Sequence, residues 1–128
     1  MTLLSRDSGT ENSSTIYLGS QMSSEIAKQI SGLIAENQRG GNALHEAEVK
    51  LAHAENELDL IEQRAFIKHE GTVADRTAMA RLAAAEARLQ RDLRKAEANR
   101  IRVKIRSLES SLMALGTQVK LIQSEMKI

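Results

Sequence analysis

Between residues 43 and 126 the sequence is punctuated once, at His69-Glu70-Gly71-Thr72, and that turn leaves the chain few ways to fold. Gly71 suits the left-handed residue that ends a helix, and Thr72 suits an N-cap. Asp75 stands where the acidic member of a capping box belongs, with a shorter reach than Glu or Gln. A stop signal followed at once by a start signal predicts two antiparallel helices joined by a tight turn.

The flanking periodicity agrees. Leu44, Ala47, Leu51, Ala54, Leu58, Ile61, Ala65 and Lys68 alternate steps of three and four, a heptad seam whose alanines let a partner helix come close. After the turn, Met79, Leu82, Leu89, Leu93 and Ala96 share one heptad frame, interrupted by Glu86 and Arg100. From Ile101 a second frame begins, with Ile105, Leu108, Leu112, Leu115, Val119, Ile122 and Met126. The frames are one residue out of step, which predicts a stripe that rotates around the helix near Ala96–Ile101. Upstream, Ile26, Ile30, Leu33 and Ile34 mark a short amphipathic helix over 22–39, capped by Ser23 or Ser24. Arg39-Gly40-Gly41-Asn42 reads as a joint, with Asn42 the N-cap of the next helix. Residues 1–21, rich in Ser, Thr, Asn and Gly, read as a flexible segment. The expected fold is therefore all-α: a short N-terminal helix, then a long coiled-coil hairpin over 43–128 with an extended C-terminal helix.

Helix lengths predict assembly. The second helix spans roughly 40 Å and the third roughly 80 Å at 1.5 Å per residue, so the hairpin pairs only residues 73–98 or so. The seam Ile101, Ile105, Leu108, Leu112, Leu115, Val119, Ile122 and Met126 then lacks a long partner within the chain. The first helix covers part of it, and homo-oligomers are expected to bury the rest. Composition points the same way. The 128 residues include no Pro, Cys or Trp, one Tyr and one Phe, so a thick aromatic core is out of reach and lengthwise helix packing remains. No apolar run approaches the roughly 20 residues that span a bilayer. No membrane association is expected, and the reading is a cytoplasmic protein.

Charge is the main candidate for function. Glu46, Glu48, Glu55, Glu57, Asp59 and Glu62 stand against one base, Lys50. Arg88, Arg91, Arg94, Lys95, Arg100, Arg102, Lys104 and Arg106 stand against Asp92 and Glu97. Pairing across the hairpin accounts for part of this. The rest could form a phosphate-binding band of Arg94, Lys95, Arg100, Arg102, Lys104 and Arg106, although alternation spreads these residues around the helix. With so few aromatics, base stacking in the manner of an OB fold is not available. His45, His53 and His69 lack the spacing of a metal site; His45-Glu46 has no second His four residues on. Long helices offer no concave pocket for a catalytic group, and Gly40-Gly41 lacks the Lys and Ser/Thr of a phosphate loop. No catalytic residues, metal, cofactor or small-molecule substrate are expected.

The segment Ala65-Phe66-Ile67-Lys68-His69-Glu70-Gly71-Thr72-Val73-Ala74-Asp75-Arg76-Thr77-Ala78-Met79-Ala80 resembles one in small coiled-coil proteins of tailed bacteriophages and prophages. There an aromatic-containing helix end meets Glu-Gly-Thr/Ser-Val, then an acid-Arg pair and spaced alanines. The resemblance covers about residues 44–126, and Glu70–Arg76 is its distinctive part. It implies a gene among early recombination and replication genes. The implied role is a non-enzymatic accessory to a recombinase or a single-strand annealing or binding protein in a bacterial host, with single-stranded DNA and that phage protein as partners. Two alternatives stay open: a protein that binds and inhibits a host defence component, and a virion structural or assembly coiled coil.

Overall fold

The computed structural model describes the backbone of residues 2–126 and the side chains of residues 21–126. Three helices follow one another: α1 (Thr2–Lys68), α2 (Val73–Ala83) and α3 (Ala85–Met126), with no strand among the described residues. The chain divides into two units. One joins Met1–Gln38 to Arg106–Ile128, and the other is Arg39–Ile105.

α1 corrects the expected short helix and joint. It passes through Arg39-Gly40-Gly41-Asn42 without a break, so Asn42 caps nothing, and Ser23 and Ser24 lie inside the helix. The physical reason is a seam longer than its apolar members suggest. Ile26, Ile30, Leu33, Asn37, Gly40, Leu44, Ala47, Leu51, Ala54, Leu58, Ile61 and Ala65 are all buried or half-buried, and they alternate steps of four and three throughout. Gly40 occupies a seam position, where a Cβ would stand 3.1 Å from Cγ1 of Ile105. The glycine therefore admits a close neighbour. The roughly 1 kcal/mol that each interior glycine costs a helix is small beside the burial of the flanking seam. The expectation of a flexible segment over 1–21 falls, except for Gln21, on residues whose side chains lie outside the described ones.

The turn is as expected. Gly71 has φ 123°. Thr72 is the N-cap of α2, and its Oγ1 accepts from the Asp75 backbone N–H at 3.2 Å. Arg76 adds a feature that periodicity does not reveal. Its Nε donates to the Phe66 carbonyl oxygen at 2.9 Å, and its guanidinium lies 4.2 Å from the centre of the Phe66 ring. A cation thus satisfies one of the last carbonyls of α1, at the negative end of that helix's dipole.

Beyond the turn the expected single helix is interrupted at Ala84, with φ −93° and ψ 6°. The backbone ladder survives the interruption: Ala84 N–H donates to Ala80 O at 3.0 Å, and Arg88 N–H donates to Ala84 O at 2.9 Å. Ala84 itself is fully buried. The expected change of frame near Ala96–Ile101 does not occur. Ala80, Ala84, Ala87, Arg91, Arg94, Ala98, Ile101, Ile105, Leu108, Leu112, Leu115, Val119 and Ile122 are buried or half-buried in a single heptad frame. Met79, Leu82, Leu89, Leu93 and Ala96, expected to be the seam of this segment, are exposed. The long run of Ile, Leu and Val from Ile101 decides the matter. Turning the helix by about 150° to bury the leucines would expose a longer apolar set.

The length argument for association through Ile101–Met126 also falls away. α1 is 67 residues long, Ile105 packs on Gly40, Leu108 is buried, and Leu112, Leu115, Val119 and Ile122 are half-buried within the chain; Met126 is exposed.

Candidate nucleic-acid interface

The basic band lies on α3, where the seam divides it by position. Arg91 and Arg94 occupy seam positions and are half-buried. Their charged heads pair within α3: Arg91 Nε meets Asp92 Oδ1 at 2.8 Å, and Arg94 Nη1 meets Glu97 Oε2 at 3.5 Å. Arg88 and Arg102, beside the seam, cross to α1. Arg88 Nη2 lies 3.5 Å from Glu62 Oε1, and Arg102 Nη2 donates to Glu48 Oε1 at 3.0 Å. Both members of each pair stay partly exposed, so each contributes little stability, about 0.2–1 kcal/mol. Register is their main effect. Glu48 and Glu62 are two heptads apart, as are Arg88 and Arg102, so one antiparallel alignment satisfies both. The pairing expected between the acidic and basic runs is thus present at two points.

Of the six residues expected to bind phosphate, two are engaged. Arg94 pairs with Glu97, while Arg102 bonds Glu48 and also donates from Nη1 to Asn99 Oδ1 at 2.8 Å. Lys95, Arg100 and Lys104 are exposed and make no ion pair among the described residues. Arg100 and Lys104 are neighbours one turn apart, whereas Lys95 projects from another side of the helix. Arg106 is exposed too, in the other unit. The exposed cations form a loose scatter, with no single stripe.

One groove of about 810 Å³ lies beside the turn. Phe66, Ile67, Thr77 and Ala80 line it together with the Arg88–Glu62 pair, Gln63 and Arg81. It is open along its length, and its charged groups are spent on each other or face solvent. His45 and His53 are exposed and His69 is half-buried. Among the described residues no cluster of three or more His, Asp or Glu side chains could hold a metal ion, and no helix is long and apolar enough to cross a membrane. No protein family, curated protein or solved structure matches the chain.

Two features of this face escaped the sequence reading. Arg76 gave no signal beyond its place in the Glu70–Arg76 motif. The exposed Leu82, Leu89 and Leu93 carry a clear periodic signal, which marks a stripe without saying whether it faces inward or outward.

Proposed function

We propose that the protein is a non-enzymatic coiled-coil accessory of phage DNA recombination or replication. Its body is an antiparallel helical hairpin, and it works in the cytoplasm of a bacterial host beside a recombinase or a single-strand annealing or binding protein. The observation that carries the reading is the division of the basic band. Arg88 and Arg102 are used to set the register of the helices, while Lys95, Arg100 and Lys104 stand exposed and unpaired among the described residues. Three cations without internal partners on one helix are available to a phosphate backbone, and the scarcity of aromatic side chains makes the contact electrostatic and indifferent to sequence. The Glu70–Arg76 resemblance supplies the biological setting.

Titration of fluorescent single-stranded DNA across a salt series tests this. The wild type binds with an affinity that falls as salt rises. The variant Lys95→Gln/Arg100→Gln/Lys104→Gln loses three phosphate contacts, so its slope of log K against log salt becomes shallower by about 2. Binding that is absent at low salt, or unchanged in slope in the variant, overturns the reading. Capture of a host protein by both wild type and variant would then favour the inhibitor alternative.

A further inference from the structure

The segment 79–103 carries two heptad stripes on opposite faces of one helical path. The inner stripe, Ala80, Ala84, Ala87, Arg91, Arg94 and Ala98, is small or charged and is buried or half-buried. The outer stripe is the more apolar of the two: Met79 is 40 % exposed, Leu82 71 %, Leu89 52 %, Leu93 55 % and Val103 63 %. Glu86, Ala96 and Arg100 complete it, all exposed. All of these residues belong to the unit Arg39–Ile105. Large side chains recurring at three and four residues over about 36 Å of helix have the periodicity of a packing seam, and nothing among the described residues covers them.

We infer that this outer stripe is a self-association surface, occupied by the same stripe of a second copy running antiparallel. The polar members of the stripe choose the occupant and its direction. A parallel pair would stack Glu86 on Glu86 and Arg100 on Arg100, with like charges facing inside an apolar contact. An antiparallel pair with Leu89 opposite Leu93 of the other copy sets Glu86 opposite Ala96, whose small side chain leaves the carboxylate free to reach toward Arg100 one turn on. The Glu86–Arg100 contact is made twice by the two-fold symmetry, and the two copies need no surface that the chain lacks. Met79 meets Val103 at each end. The flanking Gln90 lies next to the symmetry axis. Asp92, also near the axis, is already held by Arg91 at 2.8 Å, which offsets its approach to its own copy. This surface is distinct from the seam Ile101–Met126, and Arg100 is the one residue it shares with the exposed cations Lys95, Arg100 and Lys104.

Sedimentation of the full chain over a micromolar concentration series, with circular dichroism alongside, is the first measurement. The wild type sediments at twice the chain mass, and Leu89→Glu/Leu93→Glu at one chain mass with helicity unchanged, because both residues are already exposed in the folded chain. Direction is read by cross-linking, since the chain has no cysteine of its own. Gln90→Cys forms a disulfide between copies. Leu82→Cys does not, because nine residues from the axis places the two sulfurs about 27 Å apart. A wild type that is monomeric throughout, or a dimer indifferent to Leu89→Glu/Leu93→Glu, overturns the inference. So does cross-linking through Leu82→Cys as readily as through Gln90→Cys, which marks a parallel pair. The readouts are mass and cross-linking in the absence of DNA, so this result is obtained separately from the preceding one.

Discussion

Gly40 and Gly41 are adjacent in sequence and opposite in environment, which makes them a paired test of the helix that runs through them. A Cβ at Gly41 meets nothing within 4 Å, whereas one at Gly40 stands 3.1 Å from Cγ1 and 3.6 Å from Cδ1 of Ile105. Both residues are in the interior of α1. Gly41→Ala therefore receives the helix-propensity gain alone, about 0.8–1.0 kcal/mol. Gly40→Ala receives the same gain and opposes it with overpacking against Ile105, which costs about 1–3 kcal/mol when a packed neighbour must move. The two variants should differ by about 1–3 kcal/mol in the order Gly41→Ala above Gly40→Ala, with the wild type between them or level with Gly40→Ala. For a chain of this size each kcal/mol moves the thermal midpoint by about 4 °C, so thermal unfolding followed at 222 nm resolves the pair. Equal stabilisation by both substitutions would mean that Ile105 does not pack on Gly40 and the register is wrong. Destabilisation by Gly41→Ala would mean that the pair is a joint after all.

Three further substitutions probe the turn and the seam. Arg76→Ala removes a charge-assisted bond to the Phe66 carbonyl and a ring contact, and is expected to lower unfolding free energy by about 2 kcal/mol; Arg76→Lys recovers only part, since an ammonium lacks the planar fork. Gly71→Ala forces a side chain into the positive-φ conformation at 123°, which costs about 1–3 kcal/mol, measured by urea denaturation. Asn37 sits in the seam with its Oδ1 buried and without a partner, so Asn37→Leu should raise stability by about 1–3 kcal/mol in the same experiment; a loss would show that the amide is satisfied.

The sequence discloses the turn except for Arg76, because Gly71, Thr72 and Asp75 act locally and each has one favoured role. It discloses the α1 seam from Leu44 to Ala65 for a similar reason: every member is apolar, so position and chemistry agree. It misleads where they separate. Asn37 and Gly40 continue the seam without being large or apolar, and a glycine that admits a neighbour carries the same letter as a glycine that ends a helix. Between Met79 and Ala96 the more hydrophobic face is the outer one. Periodicity locates both stripes but does not say which one turns inward. That choice is made at a distance, by the Ile101–Ile122 run that fixes the rotation of α3 and by the close approach that Ala80, Ala84 and Ala98 permit. The basic band was legible as charge, yet its division into engaged and exposed members depends on which residues flank the seam, and so on the same rotation. The Glu70–Arg76 motif also takes on a local meaning: its Gly, Thr and Arg build the turn and cap the two helix ends that meet there.

The continuity of α1 through Arg39-Gly40-Gly41-Asn42 underlies the shared heptad frame, the partner of the Ile101–Ile122 seam and the outward turn of Leu82, Leu89 and Leu93. Backbone ¹³Cα chemical shifts of the labelled full chain read it residue by residue. Helical shifts at all four residues, continuous with those of Gln38 and Ala43, are the expected result. Random-coil shifts at Gly40 and Gly41 between two helical stretches would contradict it.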